Sequence, residues 1–234
     1  MKHVFLLLLI WSLSLTAAWG SNDVWNNGYV TLPDGQRIEG QLNYNWKAEV
    51  LRVKISDGTA KAYSASRVRS FAYFDDEQNL LRRFSAIAFA GPDDTRRFVF
   101  MEECTVGKLS VYRRLHHAHE FIKMGRPSLF GSDREMIKDY DNFDYIVLDD
   151  TQVTDLQHFS TDLWPQMQSE FSGPLGDYVK TRQLDITSTV AKLMLINQYN
   201  YLKIKADENA VATEEETPES GSVEPAAGIN SAQE

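Results

Sequence analysis

The chain has 234 residues, of which 43% are hydrophobic, and a formal net charge of −9. This hydrophobic share is typical of a packed globular protein. The charge is unevenly placed, because eight acidic residues and no Lys or Arg follow Lys205, which leaves a net charge of −1 for residues 1–205. A body so close to neutrality has no net positive field to concentrate nucleic acid or anionic lipid, so we predict no nucleic-acid partner.

The N-terminus has the pattern of a signal peptide. Lys2 gives a positive start, residues 4–15 form an apolar run, and the small residues Ala18 and Gly20 mark a cleavage site before Ser21. The run is shorter than the about 20 residues that a membrane-spanning helix needs. We therefore predict a signal peptide over residues 1–20, no membrane span after its cleavage, and a periplasmic or secreted protein.

The first part of the mature chain has the alternating pattern of antiparallel strands, separated by turn signals such as Pro33-Asp34-Gly35 and Asp57-Gly58. The predicted strands are Tyr29–Leu32, Arg37–Tyr44, Val50–Ile55, Thr59–Tyr63, Phe71–Phe74, Leu80–Ile87, Phe98–Thr105, Leu109–Leu115, Tyr145–Leu148 and Thr151–Leu156. Residues 116–141 are predicted as a loop. Spacing this regular predicts a sheet that curls into a sandwich or an incomplete barrel.

The last part of the chain changes to helical patterns. One helix is predicted over Leu163–Phe171, ended by Gly173-Pro174, and a second starts near Thr187 or Ser188. In the second helix the residues expected to share one amphipathic face are Val190, Leu193, Met194, Asn197 and Tyr201. The fold class is thus α+β, with one domain over residues 21–205, β-rich over 28–156 and helical over 160–204. The alternative is a separate helical domain after residue 156.

The tail from Ala206 to Glu234 is acidic and has no aromatic residue. Such a composition buries too little apolar surface to offset the entropy of ordering, so we predict a disordered tail. The only cysteine, Cys104, excludes an intramolecular disulfide and is expected to be a small buried hydrophobe.

Several strand and turn patterns resemble a family of exported bacteroidete proteins of unknown function. They are Gly28-Tyr29-Val30-Thr31-Leu32, Asp34-Gly35, Gly40-Gln41-Leu42-Asn43-Tyr44, the stretch Tyr63–Phe74, Val111-Tyr112-Arg113 and Gln198-Tyr199-Asn200. The resemblance covers residues 28–201, except that residues 116–184 do not match the family pattern well. It implies a shared scaffold and brings no activity, cofactor or catalytic residue.

His116, His117 and His119 form the densest group of potential metal ligands. In an extended segment His117 and His119 face the same side, and imidazole is a good ligand for zinc, copper or nickel. A site would need a further ligand, such as His158 or an Asp. Because the ligand set is incomplete, a solvated polar loop is the favoured interpretation, and we predict no cofactor.

A second candidate for a cation is the segment Asp139-Tyr140-Asp141-Asn142-Phe143-Asp144, whose oxygen ligands are of the kind that calcium prefers. The segment lacks the central glycine and the bidentate acid of an EF-hand loop. We therefore interpret it as an acidic loop before a strand.

Three arginine pairs and a set of aromatic residues are candidates for binding. The arginine pairs are Arg82-Arg83, Arg96-Arg97 and Arg113-Arg114. One member of each pair should point inward or to the sheet edge, where the set either lines an anion pocket or, as we favour, protects the edges. The aromatic residues are Trp25, Tyr44, Trp46, Tyr63 and Tyr73. They are expected to fill the core rather than form a platform for sugars or peptides.

No G-x-S-x-G, H-E-x-x-H, G-x-x-x-x-G-K or G-x-G-x-x-G motif occurs in the sequence. We therefore predict a non-enzymatic envelope protein that binds a small ligand or an envelope protein, with no assigned catalytic residue. The alternative is an extracytoplasmic hydrolase that uses Asp or Glu residues.

Overall fold

The computed structural model describes residues 24–90, 96–116, 137–150 and 152–215, which form ten strands followed by two helices. The strands are β1 (Asn26–Thr31), β2 (Arg37–Asn45), β3 (Val50–Lys54), β4 (Ala60–Tyr63), β5 (Ser70–Asp75), β6 (Leu80–Ala90), β7 (Arg96–Thr105), β8 (Leu109–Leu115), β9 (Phe143–Asp149) and β10 (Gln152–Asp155). The α+β fold class and each of the ten predicted strands are confirmed. The predicted signal peptide, residues 1–20, lies outside the described residues.

The strands form one antiparallel sheet in the order β10-β9-β8-β7-β6-β5-β1-β2-β3-β4. Most neighbours in the sheet are also neighbours in the chain, joined by turns such as those at Gly35 (φ 88°) and Gly58 (φ 83°), where the sequence predicts turns. The exception is β5, which returns through a single 3-10 turn, Ala65–Arg67, to pair with β1. At Gly28 of β1 a Cβ atom would lie 2.2 Å from the Ala72 carbonyl oxygen, so this pairing needs glycine.

Contacts between distant strands show that the sheet is curled. Trp46, which follows β2, packs on Phe84 of β6 and on Phe143 of β9, with ring centroids 5.0 and 5.8 Å apart. Five strands lie between β2 and β9 in the sheet, so a flat sheet could not bring these rings together. Among the described residues β4 and β10 do not pair with each other, and the sheet is an incomplete barrel.

One hydrophobic cluster joins the sheet to the helices. Its buried members include Val30, Leu42, Phe71, Phe84, Phe100, Val111 and Val147 from the strands and Met167, Leu175, Leu195, Ile196 and Tyr199 from the helices. The helices thus cover the same side of the sheet as the aromatic core.

The first helix, α1 (Trp164–Arg182), follows a π-helical turn over Phe159–Leu163. The predicted end of the helix at Phe171 coincides with a break, because Phe171 has non-helical φ and ψ angles, but a second helical segment, which the sequence did not predict, continues for eight residues beyond Pro174. Pro174 lacks an N–H, and its ring conflicts with the carbonyl group four residues earlier, which explains the kink at Phe171 (φ −135°, ψ 46°). Leu175 beyond the kink is buried, so packing keeps the second half of the helix on the core.

The second helix, α2 (Thr189–Glu215), begins where predicted, and the Ser188 hydroxyl accepts a hydrogen bond from the Ala191 N–H at 3.2 Å. The predicted amphipathic face is wrong, because Val190 and Tyr201 are 45% and 52% exposed. The residues that α2 buries are Ala191, Leu195, Ile196, Tyr199 and Asn200. The five residues of the predicted face also have helical spacing, but three of them, Val190, Asn197 and Tyr201, are exposed to solvent.

The start of the tail also differs from the prediction. The helix α2 continues to Glu215, so residues 206–215, assigned to a disordered tail from their composition, are helical. Alanine and glutamate, frequent in this stretch, are strong helix formers. Residues 216–234 lie outside the described part of the chain.

Neither of the helices in the described ranges has the length and the apolar character that crossing a bilayer requires.

Candidate functional site

A cluster of paired charges lies inside the curled sheet and centres on Arg82, which is 1% exposed. Its Nε donates to Asp75 Oδ2 at 2.8 Å, its Nη1 to Glu102 Oε1 at 2.5 Å, and its Nη2 to Gln78 Oε1 at 2.7 Å. On the next strand but one, Arg113 donates from its Nε to the other oxygen of Glu102. We call Asp75, Arg82, Glu102 and Arg113 the buried charge network.

Strand alternation explains why these residues meet. Arg82 precedes Phe84 by two residues in β6, and Glu102 follows Phe100 by two residues in β7, so both share the face of a core aromatic residue. Glu102 lies directly opposite Arg113 in the β7–β8 pairing. Burial is the largest single effect and lowers the pKa of each guanidinium, but the charge of Glu102 and the hydrogen bonds and charges around it together outweigh burial and hold the pKa of both arginines above the ordinary value.

The buried charge network has two positive and two negative members, so its formal charge is zero. The prediction that each arginine pair divides between two directions is confirmed for Arg82, which is buried, and Arg83, which is exposed. The inward arginines bind carboxylates of the protein itself rather than guard the sheet edges, which corrects the favoured interpretation. A neutral, satisfied cluster leaves no unbalanced charge for a ligand, and removing one of its partners would leave an uncompensated buried charge.

A second charged region is an open cleft of about 150 Å³ where the start of α2 meets β9 and β10. We call it the acidic cleft. The described residues that line it are Asp141, Phe143, Asp144, Tyr145, Asp155, Leu156, Gln157, Thr189 and Lys192. The segment Asp139–Asp144, interpreted from the sequence as an acidic loop before a strand, therefore supplies one wall of the cleft.

Each carboxylate of the acidic cleft uses its Oδ1 atom in a contact within the protein. Asp141 Oδ1 accepts from the Thr189 hydroxyl at 3.1 Å, and Asp155 Oδ1 accepts from the Gln157 N–H at 2.7 Å. Asp144 Oδ1 lies 2.5 Å from His116 Nδ1. Within the described part of the chain, no hydrogen bond uses their Oδ2 atoms.

The charges that line the acidic cleft do not balance. The described residues that line it include three aspartates and one lysine, Lys192. The N-terminus of α2 adds the equivalent of about half a positive charge. The described lining of the cleft therefore keeps an excess of negative charge, which is reduced where His116 is protonated beside Asp144, whereas the buried charge network has none; this imbalance favours a positively charged ligand.

Two aromatic residues, Phe143 and Tyr145, form the buried part of the cleft lining together with Leu156. The Tyr145 hydroxyl donates to the Tyr140 carbonyl at 3.1 Å, and burial raises the pKa of this phenol to about 12. On Phe143, the Arg113 guanidinium lies 4.1 Å from the ring centroid. The buried charge network thus contacts the aromatic lining of the cleft through Arg113.

The size of the acidic cleft limits what it can hold. Pockets for drug-sized ligands start at about 300 Å³, and this cleft has about half that volume. It suits one side-chain-sized group, such as an alkylammonium or a guanidinium, better than a nucleotide or a larger organic cofactor.

The predicted histidine cluster is only partly within the described residues. His116 is there and pairs with Asp144, while His117 and His119 lie outside the described ranges. His158 follows β10 in a short 3-10 turn, Leu156–His158. Within the described ranges no group of three or more His, Cys, Asp or Glu residues has the arrangement of a metal site.

The position of α2, which carries one side of the acidic cleft, is fixed by Asn200. The Asn200 side chain accepts from the Leu109 N–H at 2.9 Å and donates to the Leu109 carbonyl at 2.8 Å. A Cβ atom at Gly107 would lie 2.5 Å from Asn200 Cγ, so the turn before β8 needs glycine there. This buried amide docks the final helix on the β7–β8 hairpin.

The aromatic candidates and Cys104 have structural roles, and the expectation for Cys104 differs from the structure. The core interpretation is confirmed for Trp46 and Tyr73, which are buried, while Trp25 is half-buried beneath Arg52. The expectation that Cys104 is a buried residue is wrong, because a β-bulge in the β7–β8 pairing leaves it exposed. Its sulfur is nonetheless shielded, and burial of the thiol raises its pKa to about 12, so it is a poor nucleophile.

Sequence reasoning missed the acidic cleft as a unit. Asp141 and Lys192 are 51 positions apart in the chain, and no motif spacing links them. The one signal available was the run of acidic residues from Asp139 to Asp144, which a short carboxylate-rich loop before a strand also explains.

Comparison with protein-family models, with curated proteins and with solved structures gives no match for this chain.

Proposed function

We propose that this chain is a non-catalytic, exported binding protein whose acidic cleft holds a small organic cation, an alkylammonium or guanidinium group. The observation that carries the proposal is the charge imbalance of the cleft: three aspartates, Asp141, Asp144 and Asp155, and one lysine, Lys192, line a space of about 150 Å³. Export rests on the pattern of residues 1–20, and the periplasm or the extracellular medium is the proposed location.

The cleft offers two kinds of interaction to a cation. Carboxylate oxygens attract it directly, and a pair of opposite charges 4 Å apart gains about 4 kcal/mol near a protein surface. The aromatic residues Phe143 and Tyr145 provide apolar surface for the alkyl part of the ligand. After the costs of association, a single group held this way should bind with a Kd of roughly 10 μM to 1 mM.

Calorimetric titration of the purified protein with N-acetyl-lysine amide tests the proposal. The triple variant Asp141→Asn, Asp144→Asn, Asp155→Asn removes three negative charges, while asparagine oxygens can still accept the bonds of Thr189 and Gln157. We expect the triple variant to bind at least tenfold more weakly than the unmodified protein. The affinity of the unmodified protein should also fall as the salt concentration rises, because salt screens the attraction between opposite charges.

The matched control carries Asp34→Asn, Asp57→Asn and Asp76→Asn. These substitutions change the net charge by the same amount, but they lie in turns that are distant in sequence from the residues of the cleft. Asp34 and Asp57 each accept a backbone N–H two residues later, as Asp155 does. Equal affinities for the control and the triple variant would contradict binding in the cleft.

A hydrolase is the second candidate, and one observation favours it. Asp144 pairs with His116 Nδ1 at the rim of the acidic cleft, and a carboxylate in this position can orient an imidazole as a general base. Turnover of a glycan, ester or peptide substrate that disappears in a His116→Gln variant would replace the binding proposal with this one.

A further inference from the structure

We propose that an extended, basic peptide pairs with the outer edge of β10 as an additional strand and places a lysine or arginine side chain in the acidic cleft. The inference rests on the proposed function of the cleft and names its ligand: a segment of another polypeptide rather than a free amine. Its two supports are the open edge of the sheet and the charge beside that edge.

The strand β10 ends the sheet on one side. It pairs with β9 from Gln152↔Asp149 to Asp155↔Ile146, and in the described part of the chain no strand pairs with its other edge. Val153 is 55% exposed, and Gln152 and Asp155 are exposed as well. Alternate residues of such an edge present N–H and C=O groups that an extended peptide can satisfy.

The edge of β10 and the acidic cleft meet at Asp155. This residue is the last of β10 and also lines the cleft. A peptide strand that pairs with β10 therefore passes the cleft, and every second side chain points to the same face of the strand. A lysine or arginine on that face can reach the carboxylates while the peptide backbone bonds to the edge.

The opposite edge of the sheet shows why the peptide should choose β10. The strand β4 also ends the sheet, but it carries Lys61 and lies next to Lys54 of β3. A basic peptide would meet like charge at β4. At β10 it would meet the opposite charge of Asp155 and, in the cleft beside it, of Asp141 and Asp144. Charge complementarity thus assigns the basic strand to one of the two edges.

The probe is a capped hexapeptide of alternating lysine and threonine, compared by calorimetry with N-acetyl-lysine amide. We expect the hexapeptide to bind at least tenfold more tightly than the single residue, because the added backbone hydrogen bonds act with the side chain. A hexapeptide with glutamate in place of lysine should show at least a tenfold loss.

Backbone methylation tests strand pairing itself. Two isomers of the hexapeptide carry N-methyl groups on either the odd or the even amides, and only one set of amides faces β10 in an added strand. We expect one isomer to bind no better than N-acetyl-lysine amide, and the other, which serves as the matched control, to keep the affinity of the parent peptide.

A protein variant gives an independent readout. Asp155→Asn removes a charge while its side-chain oxygen can still accept the Gln157 N–H, and it should weaken hexapeptide binding about threefold or more. Asp57→Asn, which has the same turn-capping role between β3 and β4, should leave binding unchanged.

The outcomes separate this inference from the proposed function. If N-acetyl-lysine amide binds and the hexapeptide binds no more tightly, or if both methylated isomers bind equally, strand addition is overturned while cation binding in the cleft stands. If neither probe binds, the proposed function fails as well.

Discussion

The buried charge network and the acidic cleft contain the same kinds of side chain and differ in balance and exposure. In the network each charge has an opposite partner, and Arg82 and Glu102 are 1% and 4% exposed. The cleft is lined by three aspartates and one lysine and opens to solvent. Buried charges must be neutralised within the protein, whereas open charges can remain unbalanced, so an excess of charge indicates a ligand only in the second setting.

The largest loss of stability is expected when a charge in the buried charge network loses its partner. Glu102→Ala leaves two arginines without their shared carboxylate, and we expect the free energy of unfolding to fall by about 3–5 kcal/mol. That is a large part of the about 5–15 kcal/mol typical of a domain. Urea denaturation followed by tryptophan fluorescence measures it.

The neighbouring Glu103→Ala is the matched control for this variant, because Glu103 lies on the other face of β7 and should contribute less than about 1 kcal/mol. Equal losses in the two variants would show that position in β7, rather than charge pairing, sets the stability.

The next effect concerns the docking of α2 beside the cleft. Asn200→Ala leaves the buried Leu109 N–H and carbonyl without partners, and should lower the free energy of unfolding by about 2–4 kcal/mol. Asn197→Ala, on the same helix, loses an exposed bond to Thr105 and should cost below about 1 kcal/mol. Thermal unfolding of both variants tests the difference, and a larger loss for Asn197→Ala would contradict the docking role.

Alkaline pH should weaken the interior, because it deprotonates buried phenols. Burial raises the pKa of Tyr73, Tyr145 and Tyr199, and for Tyr145 the value is about 12. Because the folded state favours the protonated phenols, the stability they contribute is complete below pH 10 and falls as pH rises from 10 to 12. Phenolate absorbance near 295 nm should therefore appear together with unfolding. Titration of all tyrosines at pH 10 in a folded protein would contradict their burial.

The smallest effect on stability is expected in the acidic cleft. The triple variant Asp141→Asn, Asp144→Asn, Asp155→Asn removes exposed or half-exposed charges, and should change the free energy of unfolding by less than about 1 kcal/mol. Urea denaturation of the triple variant and of Glu102→Ala under the same conditions compares the two losses of stability directly. A loss of several kcal/mol would show that these carboxylates are structural, as those of the network are.

Local patterns were sufficient to predict the strands, because residue alternation and turn chemistry act over a few residues. Asp57-Gly58 predicted a hairpin, and Gly58 has the positive φ that such a turn uses. Patterns failed where packing decides: the helix α1 continues through Pro174, and α2 buries a face other than the predicted one.

The two charged regions were less accessible to sequence reasoning than the strands. Alternation predicted that one arginine of each pair turns inward, but it could not predict that Glu102 would join Arg82 and Arg113. That contact depends on the order of β6, β7 and β8 in the sheet. The acidic cleft needs β9, β10 and α2 together, and no local pattern contains that arrangement.

The most direct test of the account is an NMR titration of the ¹⁵N-labelled protein with N-acetyl-lysine amide, because it reports on both charged regions at once. We expect saturable shifts of the amides of Asp141, Asp144, Asp155 and Thr189, and none at the turn over residues 75–78 beside the buried charge network. Shifts that do not saturate, or that lie away from the acidic cleft, would contradict the claim that unbalanced charge marks the binding site.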